Sequence, residues 1–466
     1  MTKLASKGLK YFSLVPITGG TLRGFSVTFS SVLLSMMLLI SMNTYGNELS
    51  STLIRAKNLF PVIPPTLNER EKQMAYLGRR LFFDKRISIN GEVSCASCHR
   101  PEKYFTDGLK TANTLAKGNR NTPTIINSFS LTWNFWDGRA DSLASQAVKP
   151  MEDPGEHGAN RVQVYRLVES EYKREYEALW GNFPKIKSEI KNGLPKGGAL
   201  QLLAEIRSVI DRQMARFPNT QKSGQSLAAK SGPIDLVSER WRKDYSKLVE
   251  QDKKAVNKVF AKVGLAIANF ERTIISNDSP FDRFMSRWQA PKDFKTAFNR
   301  KFGAKEFLGL QIFTGKAQCI NCHHGPQFTD QQFHNVGVPN PNFDLGRARG
   351  LAALKGDEFS CESPNLKEAQ WITSSEACAE KNYLNMALGD HIAAFKTPSL
   401  RNVAQTAPYG HNGSLASLRA VIDNYHNPQK GIGHRSESLP KLRLSDSEKD
   451  ALEAFLRSLT GGYTHL

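Results

Sequence analysis

Apolar residues recur at helical spacing in several stretches of this chain, and strand-like alternation is rare. Between Lys254 and Ile275, the side chains Val259, Val263, Ile267 and Phe270 fall on one face, the pattern of a helix packed on a core. A second helix is predicted from about Glu69 to Phe83, leading into the first of two cysteine motifs. A third closes the chain from about Ser445 to Leu459. The expected fold class is therefore mainly α, with little β. The longest apolar run, Phe25 to Met42, differs in kind: Lys3, Lys7, Lys10 and Arg23 precede it, and no acidic residue appears before Glu48. It reads as an export segment, with positive charge held on the cytoplasmic side. No A-x-A site ends it, so residues 1–46 are either a signal peptide or a retained membrane anchor. No later segment is long and apolar enough to cross a bilayer.

Pro61, Pro64 and Pro65 mark residues 47–65 as a linker. The chain has 466 residues, enough for two modest domains with buried cores. The expected division is 66–300, carrying an insertion at 181–230, and 301–466, carrying an insertion at 335–390. Residues 181–230 hold nine basic and three acidic side chains among scattered Pro, Gly and Ser, either a solvated excursion or a partner-docking surface. The formal charge is +19, and +15 without residues 1–46. Such a surface suits an acidic protein or anionic lipid, and export argues against nucleic acid.

Six cysteines occur, and four of them stand in two C-x-x-C-H motifs, Cys95-Ala-Ser-Cys98-His99 and Cys319-Ile-Asn-Cys322-His323. Two cysteines three apart can each form a thioether with a haem vinyl group, and the following His then becomes the iron's proximal ligand. A thioredoxin pair or half a zinc site would not put His after both pairs behind an export segment. Two covalently bound c-type haems are expected, with His99 and His323 as ligands and the periplasm as the compartment. Cys361 and Cys378 stand alone and most simply form a disulfide there.

The chain also repeats itself. Residues 122–150 align without gaps on 397–425, at a constant offset of 275: Thr122-Pro123 on Thr397-Pro398, Asn127 on Asn402, Gly138 on Gly413, Ser142-Leu143 on Ser417-Leu418. The cysteine motifs are offset by only 224, so the second copy holds 51 extra residues, among them Cys361 and Cys378. In this alignment Pro150 meets Tyr425. Tyr can ligate iron through its phenolate oxygen and Pro cannot. One haem is expected to be open and the other closed by Tyr425.

These motifs, with LGRRLFFDKRISINGEVSCASCH, RNTPTIINS, NFWDGRADSLASQAVKPMEDPGEHG, the FTDQQFHNVGV run and FKTPSLRNVAQTAPYGHNGSLASL, resemble the bacterial di-haem cytochrome c peroxidase and MauG superfamily over roughly residues 60–180 and 255–466. The resemblance implies two cytochrome-c-like haem domains related by the repeat. It implies that Trp136 lies between the haems, that Gln146 and Glu156 line the peroxide pocket, and that Pro150 and Tyr425 follow the MauG-like pattern. It also implies a calcium site at Asn121 and the carbonyls of Thr406 and Pro408. Peroxidase members place a distal His where this chain has Leu115. His157 competes with Glu156 for the acid–base role, while His334 and His411 are expected to pack or to bond haem propionates.

The expected activity is a hydrogen-peroxide-dependent oxidation. Peroxide meets the open iron beside His99, Glu156 assists O–O cleavage, and Trp136 shares the oxidising equivalents with the His323–Tyr425 haem. A MauG-like enzyme would oxidise a partner protein. A cytochrome c peroxidase would instead draw electrons from a small cytochrome or cupredoxin, and a carrier without catalysis is the alternative of another class.

Overall fold

Helix α1, Glu69–Phe83, begins where Asn68 and Glu71 satisfy each other's backbone: the Asn68 side chain accepts the Glu71 N–H at 2.9 Å and the Glu71 carboxylate accepts the Asn68 N–H at 2.8 Å. Its buried face is Met74, Leu77, Gly78, Leu81 and Phe82. The following helices are α2 Leu143–Glu152, α3 Arg161–Glu171, α4 Lys173–Trp180, α5 Glu250–Glu271, α6 Pro280–Arg287, α7 Ala304–Thr314, α8 Arg347–Leu354, α9 Leu418–His426 and α10 Asp446–Ser458. The computed structural model describes residues 51–466 except 53, 57–58, 60–61, 188–244, 289–295, 362, 366–383, 385–386, 429–431, 437–438 and 440–441. Thr52–Leu466 form one compact unit, and of the residues before it only Ser51 is described. The expected signal or anchor at 1–46, most of the 181–230 insertion and Cys378 therefore lie outside the described residues. Among the described residues no helix is long and apolar enough to cross a membrane.

The mainly α expectation holds: the named strands, β1 Phe333–His334 and β2 Phe395–Lys396, make one antiparallel pair with Phe333 opposite Lys396. This pair closes the base of the long second-half excursion.

Two helix crossings organise the core. α1 packs on α5 and α7 packs on α10. A Cβ at Gly78 would lie 1.9 Å from the Ala266 carbonyl oxygen, and one at Gly309 would lie 2.0 Å from that of Ala451. Only glycine lets the backbones approach this closely, so the same contact is built twice. α5 is buried on nearly every side from Val256 to Glu271, because α2 and α3 cover it as well.

The repeat seen in the sequence is a repeat of local structure. Asn127 and Asn402 both have φ of 59°, and each opens a short 3₁₀ turn. Gly138 and Gly413 have φ of 65° and 62°. The bridge Asn134–Ala140 recurs as Tyr409–Leu415. The Ser142 hydroxyl caps α2 through the Ser145 N–H, and that of Ser417 caps α9 through the Ala420 N–H, each at 3.1 Å. Charge joins the two halves of the chain: Arg401 holds Asp282 with both partners buried, and Arg120 bridges Asp137 and Asp344. The C-terminal segment returns to the first half, where Thr464 bridges Ile275.

Candidate active site

Each C-x-x-C-H motif coils into a single tight turn, closed by His99 N–H to the Cys95 carbonyl at 2.9 Å and His323 N–H to the Cys319 carbonyl at 2.8 Å. The imidazoles are then oriented in the same way. His99 Nδ1 bonds the Phe105 carbonyl at 3.1 Å, and His323 Nδ1 bonds the Phe328 carbonyl at 2.8 Å. Both phenylalanines sit in the left-handed region, with φ of 56° and 54°. With Nδ1–H donating, Nε2 keeps its lone pair for a metal. Burial holds both imidazoles below the usual histidine range, so they stay neutral, as ligands must.

Both motifs open onto one cavity of about 400 Å³. Cys98, His99, Cys319, Cys322 and His323 line it, while Cys95 packs against the first-half core. Several buried donors on its lining residues have no partner, namely Asn134 Nδ2, Gln327 Nε2 and His411 Nε2. Buried donors are rarely left unsatisfied. Their number suits the anionic propionates of haem, and with the His99 and His323 imidazoles each oriented through Nδ1 the residues present fit two attached haems.

The walls of the cavity differ between the halves. Gln146 and Pro150 of α2 line it on the first side, and their repeat partners Val421 and Tyr425 of α9 line it on the second. Glu156 joins the first side half-buried. Burial and then the neighbouring Asp153 push its carboxyl up to about 7, with Arg139 opposing. Burial and the nearby cysteines Cys319 and Cys322 raise the Tyr425 phenol above its ordinary value.

Trp136 is fixed to both copies. Its Nε1 donates to the Asn121 carbonyl at 2.9 Å, and its own carbonyl accepts from Lys396 N–H at 2.8 Å. Asn121, Thr406 and Pro408 line the same cavity, and Asn121 Nδ2 donates to the Leu109 carbonyl at 2.7 Å, which turns Oδ1 free of that bond.

Of the other expected residues, His334 and His411 line the cavity, whereas Leu115, His157 and Cys361 do not. Leu115 packs against the first-half core. His157 is buried and does not line the cavity; burial and then nearby His99 depress it to about 4. His334 bonds the Asp330 carboxylate at 2.8 Å, which raises it to about 10. His411 stacks on Phe395 with ring centroids 3.7 Å apart, and burial lowers it to about 4. Cys361 is buried, with its N–H on the Asp141 carboxylate at 3.1 Å, but the pairing expected of it involves Cys378.

One cavity residue had no motif to reveal it. Glu271 ends α5, is 3% exposed and lines the cavity, and burial alone raises its carboxyl to about 8. The available signal was a lone acid at the end of an apolar helical stripe, which reads equally well as a helix end in solvent.

Two haem-attachment turns facing one cavity from a repeated α-helical frame define a di-haem c-type cytochrome. The family model for di-haem cytochrome c peroxidase matches residues 72–196. The cytochrome-c peroxidase IdrP2 of Denitromonas iodatirespirans is 31% identical over 403 residues, covering 85% of this chain and 84% of that protein. The methylamine utilization protein MauG of Methylophilus methylotrophus is 28% identical over 401 residues, covering 85% of each. Among solved structures, a MauG-like protein associated with microbial copper homeostasis is similar at a TM-score of 0.48 and 25% identity, covering 86% of this chain and 94% of that one. The chain belongs to the di-haem cytochrome c peroxidase family, and it is an oxidoreductase carrying haem c.

Proposed function

We propose that the protein is a MauG-like peroxide-dependent oxidoreductase whose first haem is open to hydrogen peroxide and whose second is closed by Tyr425. The observation that carries this reading is the unequal cavity wall: Gln146, Pro150 and Glu156 on one side, Val421 and Tyr425 on the other. When bound, haem supplies the two-electron redox chemistry with peroxide. The chain supplies the rest. His99 and His323 hold the two irons through Nε2. Glu156, with a carboxyl that exchanges its proton near neutrality, accepts one from a peroxide oxygen and returns it to the other. Gln146 orients the peroxide by hydrogen bonding, and Pro150 offers no donor or ligand that would block the site. Trp136 spans the copies and carries oxidising equivalents between them, toward a partner protein.

Asn121 with the Thr406 and Pro408 carbonyls forms an all-oxygen calcium site in this reading. The basic, apolar N-terminal segment and the covalent haem attachment support a periplasmic location, and Cys361 and Cys378 then form a disulfide. The family relationship supports a two-domain division near residue 300.

A second reading is favoured by IdrP2, a cytochrome-c peroxidase at an identity comparable with that of MauG. There the protein draws electrons from a small cytochrome and releases water. Ferric-state electron paramagnetic resonance tests the shared core of both: one high-spin and one low-spin haem are expected, and two low-spin signals would overturn the open site. Sustained peroxide turnover with a reduced small cytochrome would decide for the peroxidase.

A further inference from the structure

The paired helix crossings place α5 and α10 in register. Ala266 meets Gly78 as Ala451 meets Gly309. Five residues beyond each alanine stand Glu271 and Leu456, and both line the cavity. The first half thus carries a carboxyl where the second half carries an apolar side chain. Among the described residues no cation pairs with it. Glu271 Oε2 is buried without a hydrogen-bond partner. The adjacent Arg272 is committed to Glu71 at 2.7 Å and Asn269 at 2.9 Å.

The charged groups on the elements around α5 are committed elsewhere, Arg79 of α1 over the Phe83 ring among them. From α1, Arg80 pairs with Glu175 and Arg70 donates to the Leu179 carbonyl at 3.0 Å. From α2, Lys149 pairs with Asp357, and Glu152 with Arg161 of α3. On α3 itself, Arg166 pairs with Glu169, and Glu171 with Arg86. From the C-terminal segment, His465 packs edge-on to Phe270 at 6.3 Å. Glu156 shares the cavity, and both carboxyls act on Cys95, the attachment residue of the first haem. An acid this buried and this unaccompanied keeps its proton near neutrality until a positive charge, such as that of a ferric haem, stands beside it and favours its ionised form.

We propose that Glu271 is a proton-holding residue of the first haem, taking up one proton when that iron gains an electron and releasing it when the electron leaves. The balance is simple. One electron from a one-electron reductant converts ferric to ferrous iron, and one proton from a hydronium ion of the solvent forms the O–H bond of the Glu271 carboxyl. The total charge around the haem is then the same in both states, which an apolar cavity favours, since an uncompensated charge there is costly. At the corresponding position of the second half stands Leu456, which cannot hold a proton. The inference rests on the assignment of the first haem to His99, Cys95 and Cys98, and its test uses no peroxide, so its failure is distinct from failure of the peroxide reading.

The experiment is an electrochemically controlled, reduced-minus-oxidised infrared spectrum of the full di-haem protein, compared for wild type, Glu271→Gln and Glu156→Gln. Reduction of the first haem is expected to bring up a protonated-carboxyl C=O band in wild type and Glu156→Gln that is missing in Glu271→Gln. The midpoint potential of that haem is expected to fall as pH rises toward about 8 in wild type, and to lose most of that slope in Glu271→Gln. A band that survives in Glu271→Gln, or disappears only in Glu156→Gln, would overturn the proposal, as would an unchanged slope. Glu271→Leu copies the second-half residue and serves as the second variant. If both Glu271 variants lose their haem spectra, the carboxyl is structural and the proposal fails.

Discussion

The indole nitrogen of Trp136 donates to the backbone carbonyl of Asn121 at 2.9 Å. The N–H of the same Asn121 donates to the carbonyl of His411 at 2.8 Å, so this side chain is two hydrogen bonds from the second copy of the repeat. Trp136→Phe leaves the Asn121 carbonyl without that donor at a buried residue, a loss of about 1–3 kcal/mol. A lowered melting temperature measures this part. The functional part is separate: after stoichiometric peroxide, both haem spectra should change in wild type and only one in the variant.

If Glu156 is the acid–base group proposed above, it sets the pH response of the peroxide reaction. Only its ionised form can accept the peroxide proton, so the rate should rise with pH through about 7 and level off above it. Glu156→Gln should be slower by about 10²–10⁴-fold and flat across the same range. Stopped-flow absorbance reads both.

Buried acids also set the pH response of stability. Glu271 is raised to about 8 in the folded protein, and an exposed glutamate titrates near about 4.3. Between these values the folded chain binds more protons than the unfolded one, so stability falls as pH rises and the loss is complete above about 8. Denaturant midpoints should therefore decline from mildly acidic to alkaline pH, and Glu271→Gln should flatten the decline.

In the proposed reading Tyr425 closes the second haem. Tyr425→Phe keeps the ring and removes the oxygen, the only atom able to bind iron. Ferric paramagnetic resonance should then show two high-spin haems. A persistent low-spin signal would mean that another group closes that site.

The repeated glycine crossing is testable by a single methyl group. Gly309→Ala places a Cβ 2.0 Å from the Ala451 carbonyl oxygen, so α7 and α10 must separate. Overpacking of this kind costs about 1–3 kcal/mol, visible as a lower denaturant midpoint. Restoring the helix contact by a second substitution is not available, because the clash is with backbone.

Much of the frame was legible because its causes are local. The helix over Glu69–Phe83 carries its own Asn68–Glu71 cap, and the terminal helix over Asp446–Ser458 carries Ser445 and Glu448 in the same roles. The attachment turns need only five consecutive residues, and the repeat at an offset of 275 exposed the contrast of Pro150 with Tyr425. The boundary of the long helix was read less well: it runs Glu250–Glu271 rather than from Lys254 to Ile275, since periodicity marks a buried stripe and not the last hydrogen bond.

What the sequence determined by itself was which residues can bind haem and that the chain holds two unequal copies of one local design. Tertiary structure alone decided which polar groups face the cavity. Glu156 and His157 are neighbours in the chain, yet the backbone turns one to the cavity and buries the other away from it. Glu271 acquires its meaning from α1, α2 and α3 closing around α5, a burial made by segments distant in sequence. Desolvation is a property of those non-local contacts, and no pattern along the chain encodes it.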